Sequence, residues 1–144
     1  MRCAMSAGSA MYEVAEKFVA EVRRLANENP EFVYQKRPIG DGGEGGSCMY
    51  VNEAGTGGDC LIGQAVINTG LMSVEELGKH ENELARGLLG DLRFPGAATQ
   101  WADRVQSRQD MGVAWVDAVR DADLTFPLPK SLAALPCDTG RHAR

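Results

Sequence analysis

Asp59-Cys60-Leu61-Ile62-Gly63-Gln64-Ala65 is the stretch on which the reading of this chain turns. Leu61, Ile62, Ala65, Val66 and Thr69 recur at helical rather than alternating spacing, and Gly70 stands where a helix would stop. An acid just before such a run is placed to accept hydrogen bonds from the exposed first amides. Asp59 is therefore expected as the N-cap and Cys60 as the first helical residue. A thiol in that position faces the positive end of the helix dipole, which favours the thiolate.

Working outward, Cys48-Met49-Tyr50-Val51-Asn52 reads as a strand leading into this helix, with turn residues from Glu53 to Gly58. An earlier strand is expected at Glu31-Phe32-Val33-Tyr34-Gln35, which is rich in β-formers and bounded by Pro30 and Pro38. Between the two lies Gly40-Asp41-Gly42-Gly43-Glu44-Gly45-Gly46. It carries two acids, lacks a following lysine and leads into a strand, so it reads as a linker and not as a phosphate loop. The register of the 48–60 hairpin stays open. A tight turn sets Cys48 opposite Cys60, and a one-residue slip separates them.

The remaining segments read as helices. Met11, Val14, Ala15, Phe18, Val19, Val22, Leu25 and Ala26 form one apolar face, with Ser9 upstream as a cap and Asn29-Pro30 as the stop. Ser73-Val74-Glu75-Glu76 has the form of a capping box, and the leucines after it continue to Leu92, interrupted at Gly78 and Gly87. After Phe94-Pro95-Gly96 a helix is expected to about Asp110, with Trp101, Ala102 and Val105 inward, and a last one over Val113 to Asp121. The sum is an α+β chain: a mostly helical single domain over 11–123 with a small antiparallel β-sheet of two to three short strands. Residues 1–10 read as a flexible extension and 124–144 as an extended or disordered tail.

The 144 residues are 44% hydrophobic and 24% charged, with a formal net charge of -5. That balance fits one ordinary core and argues against a nucleic-acid partner, whose phosphates call for clustered lysine and arginine. No run approaches the roughly 20 apolar residues of a membrane span, and Met1 to Ala10 do not resemble a leader. The expected location is the cytoplasm, where Cys3, Cys48, Cys60 and Cys137 stay thiols. No cofactor is expected.

Three residue sets invite chemistry. Cys60 with His80 is the candidate nucleophile and base of a thiol hydrolase or transferase. Against it stand the negative charge of Asp59 and the charged run Lys79-His80-Glu81-Asn82-Glu83 around the histidine, which reads as solvated surface. Cys48, Cys60 and His80 offer three metal ligands but no close pair, so no metal site is expected. Gln106, Gln109 and Asp110 share a helix face near Trp115, a binding surface for a ligand or partner unless it is merely the solvated side of its helix.

The motifs Cys48-Met49-Tyr50-Val51, Asp59-Cys60-Leu61-Ile62-Gly63-Gln64-Ala65 and Trp101…Val105-Gln106…Gln109-Asp110…Gly112…Trp115…Ala118-Val119 resemble a group of small actinobacteriophage proteins, those of mycobacteriophages especially. The resemblance runs from about Met11 to Asp121. It implies a phage protein acting in the bacterial cytoplasm and implies no activity. Asp59-Cys60-Leu61-Ile62-Gly63 also resembles the nucleophile segment of NlpC-type cysteine peptidases, although Gly63 comes one residue late and the downstream strand-borne histidine is missing. The function expected from all this is a non-enzymatic interaction or regulatory protein that binds a host protein.

Overall fold

Twenty-two residues of amphipathic sequence form α1, Ala7–Glu28, which buries Ala15, Phe18, Val22 and Ala26 along one side. The computed structural model describes residues 7–35, 49–81 and 83–129. Five further helices follow among them: α2 (Leu61–Asn68), α3 (Val74–Gly78), α4 (Ala85–Asp91), α5 (Gly96–Asp110) and α6 (Trp115–Thr125). The α1 helix packs against α2, α5 and α6, and α5 also packs on α4 and α6. The core between them is built from Phe18, Leu61, Ile62, Val66, Leu88, Leu89, Trp101 and Val105, all fully buried. Phe18 meets Phe94 edge-on with ring centroids 5.6 Å apart.

The expected antiparallel sheet does not form among the described residues, and the fold they make is helical and not α+β. Among the described residues the β-pairing is one isolated bridge, Val51 to Gly58. The physical reason lies in where the backbone groups go. The amides of Tyr50 and Val51 donate to the two carboxylate oxygens of Glu81, at 2.8 and 3.0 Å, and a side chain thus takes the place of a neighbouring strand. In the 31–35 segment, the Phe32 carbonyl accepts from the Trp115 amide at 2.9 Å and the Pro30 carbonyl from Val116 at 3.4 Å. Those acceptors serve the first turn of α6 instead of a ladder.

Element boundaries also moved. The first helix starts at Ala7, with Ser9 inside it, and the last runs to Thr125, with Phe126 and Leu128 packed on the core. The capping box at Ser73 and Glu76 is present, and the leucine run divides into α3 and α4 on either side of residues 79–84. The glycine-rich linker, Cys48, residues 1–6 and residues 130–144 lie outside the described residues.

The hairpin fragment sits tightly on α2. Tyr50 and Met49 carbonyls accept from the amides of Asp59 and Cys60, at 2.8 and 3.1 Å. This brings the Tyr50 carbonyl against the α carbon of Gly63, where a side chain would collide with it. Gly63 is thus required by a close backbone approach and not by its own dihedral angles.

Polar clasps tie the helices together at the rim. Arg23 of α1 forms a two-pronged ion pair with Asp123 of α6, both at 2.8 Å, and its guanidinium lies 5.2 Å from the centre of the Trp101 ring. The Trp101 indole donates to the same carboxylate at 2.9 Å. Burial alone would raise the Asp123 carboxyl, but the hydrogen bonds from Arg23 and Trp101 outweigh it and hold the group below its ordinary 3.8. A depressed folded value adds stability that is complete above the unfolded value and is lost as pH falls through the folded one. The stability gap between the native chain and Asp123→Asn should therefore hold steady above about pH 5 and shrink below about pH 4. Urea unfolding across that range measures it; a gap that widens on acidification would contradict the clasp.

Candidate functional site

The start of α2 is built differently from its expected form. Cys60, not Asp59, is the N-cap, with φ -74° and ψ 172° and no capping bond from its side chain. Asp59 sits one residue too early to cap. Its carboxylate accepts from the Tyr34 hydroxyl at 2.6 Å, and its carbonyl accepts from the Gln64 side-chain amide at 2.8 Å. Cys60 is fully buried.

What satisfies the first amide of α2 comes from another helix. Gln109 of α5, itself fully buried, accepts from the Leu61 amide at 2.9 Å and from the Trp115 indole at 3.1 Å through the same Oε1. Its Nε2 donates to Asp110 at 3.0 Å. One turn earlier, Gln106 Oε1 accepts from the Ala85 amide at 2.9 Å, the first amide of α4. The Tyr50 hydroxyl lies 3.4 Å from that oxygen and donates to the Glu83 carbonyl at 2.5 Å.

A common device emerges. The helices α2, α4 and α6 have Cys60, Leu84 and Ala114 as N-caps, none of which supplies a capping side chain. Each has its first amide taken by a distant acceptor: Gln109, Gln106 and the Phe32 carbonyl. A helix N-terminus left dry and unpaired is costly, so these contacts fix where three helices start. Gln106, Gln109 and Trp115 are buried and so are not a solvated side; they form an internal polar seam with half-buried Asp110 at its edge.

His80 makes its contact with Glu83 and not with Cys60. Its Nδ1 lies 3.0 Å from Glu83 Oε1 within the 79–84 connection. The structure does not bring thiol and imidazole into a hydrogen bond, and the buried thiol is closed to solvent. His80, Glu83 and Asp91 instead converge, with one ligand atom from each within 4.8 Å of the others. The sequence carries no helix-face signal for this grouping, since His80 and Glu83 precede α4 and Asp91 ends it. Glu81 is the other residue whose role the sequence reading missed.

A shallow depression of about 280 Å³ lies beside α5, lined by Arg86, Gln100, Asp103, Arg104, Ser107 and Phe126. Its arginines already have partners. Arg104 pairs with Asp121 at 2.5 Å and Arg86 stands 4.0 Å from Asp103. The hydrogen bonds from Arg104 and Arg108 to Asp121 hold that carboxyl below its ordinary value against a smaller opposing effect of burial.

Among the described residues no helix is long and apolar enough to cross a membrane. The arrangement defines a helical domain with an internally capped core. No protein-family model, curated protein or solved structure matches the chain.

Proposed function

We propose that the chain is a non-enzymatic interaction protein that docks on a host protein in the bacterial cytoplasm, the setting implied by its resemblance to small actinobacteriophage proteins. The observation that carries this reading is a rigidly held apolar edge. Phe32 and Val33 are 45% and 37% exposed. The Phe32 ring stacks on Trp115 with centroids 4.5 Å apart, and its carbonyl is fixed to the Trp115 amide. An exposed aromatic residue held in place loses little freedom on binding, which suits it as an anchor at a protein interface. The net charge of -5 supports a protein partner over a nucleic acid.

The test is site-specific photo-crosslinking in an actinobacterial host, with the reactive residue at position 32 or, as control, at exposed Glu13 on α1. The reading predicts one dominant adduct from position 32, absent from position 13 and competed away by unlabelled native chain but not by Phe32→Ser. Equal adducts from both positions, or competition by the serine variant, would contradict it.

A further inference from the structure

The connection between α3 and α4 carries a grouping that the interaction reading does not use. Tyr50 donates its hydroxyl to the Glu83 carbonyl, and Glu81 grips the amides of Tyr50 and Val51. The loop bearing His80 and Glu83 is thereby pinned to the hairpin fragment. Glu83 Oε1 lies over Gly87, 3.9 Å from where a Cβ would stand, and the next position in that row is Asp91, the last residue of α4.

The charge balance of this corner is also unusual. Asp91 sits at the C-terminal end of its helix, where the backbone carbonyls disfavour an anion. Its carboxylate has no hydrogen-bond or ion-pair partner among the described residues, yet its oxygen lies within 4.8 Å of the ligand atoms of His80 and Glu83. Ligands of one ion at about 2.1 Å are about 3–3.5 Å apart. The His80–Glu83 pair already meets that spacing at 3.0 Å, and the exposed Asp91 carboxylate lies within 4.8 Å of both.

We propose that His80, Glu83 and Asp91 form a surface site for a divalent transition-metal ion of the zinc or cobalt class, one imidazole nitrogen and two carboxylates leaving further positions to water. The mixed nitrogen and oxygen set favours these ions over magnesium, which prefers oxygen alone.

The test adds Zn²⁺ or Co²⁺ alone to the full-length chain, kept reduced with a non-chelating phosphine. Titration calorimetry should give one site, and His80→Ala, Glu83→Gln and Asp91→Asn should each weaken it about tenfold or more. Co²⁺ should produce weak visible bands without the intense near-ultraviolet absorption of a thiolate ligand, and should broaden the His80 ring resonances. Magnesium should not compete. Binding that is unchanged in His80→Ala, a thiolate band, or His80 signals unmoved by excess Zn²⁺ would each overturn the site. Because the readout is metal binding, failure here leaves the crosslinking result at Phe32 untouched, and the converse holds.

Discussion

Replacing Gln109 with leucine is expected to remove about 2–5 kcal/mol of folding stability, because two buried donors lose their acceptor at once. Leucine keeps most of the volume, so the loss reports hydrogen bonding and not a cavity. The Leu61 amide and the Trp115 indole both end on Gln109 Oε1, in a place that water does not reach. Trp115→Phe removes one donor together with its bond, and the double variant Gln109→Leu/Trp115→Phe should lose less than the two single losses added. Urea unfolding followed by helical circular dichroism gives all four corners of the cycle. Additive losses would mean that the seam between α2, α5 and α6 is not coupled as described. Against a total stability of about 5–15 kcal/mol, the single change at Gln109 is a large fraction.

Gly63→Ala should be comparably severe, about 3 kcal/mol or more, since the added carbon meets backbone and no side chain can turn away. Its Cβ would collide with the Tyr50 carbonyl oxygen and lie 2.9 Å from the Tyr50 carbonyl carbon and α carbon. Relief would demand that the hairpin fragment lift from α2, which breaks the bonds from Asp59 and Cys60 to Tyr50 and Met49. Gly90→Ala is the internal contrast. That position is helical and exposed, with nothing within 4 Å of the added carbon, so alanine there should stabilise by about 0.5–1 kcal/mol. Thermal unfolding of the two variants side by side should move in opposite directions. A Gly63→Ala protein as stable as the native chain would show that the hairpin does not bear on the helix.

The helices were legible because their apolar spacing is a property of the chain alone. The stops at Asn29-Pro30 and Gly70, the capping box at Ser73 and the start of α5 at Gly96 follow from local chemistry. The sheet was misread because β-forming composition fixes an extended backbone but not its partner. For Phe32 that partner is the first amide of α6, and for Tyr50 and Val51 it is a carboxylate 31 and 30 residues away. Nothing local to either segment encodes those choices.

The glutamine seam was half legible. Trp101, Val105 and Gln109 stand four apart, so the helix geometry that turns Trp101 and Val105 inward turns Gln109 inward as well. Its polarity argued for a surface, and only the three-dimensional meeting with an uncapped α2 explains why a glutamine is buried there. Cys60 stands at the N-cap and not at the first helical position, one residue from where the spacing put it, and it is fully buried there. That His80 meets Glu83 and not Cys60 depends on where residues 79–84 fold, which no local pattern decides.

The most direct test of this account is the alkylation rate of Cys60 in the full chain at pH 7.5, followed by peptide mass spectrometry as urea is raised. A sealed structural thiol opens only with the fold. An opening free energy of about 5 kcal/mol should slow iodoacetamide about 10³-fold or more relative to the unfolded chain, with a urea dependence that matches global unfolding. Labelling of Cys60 in native buffer within tenfold of the unfolded rate, insensitive to urea, would contradict a buried cap beneath Gln109.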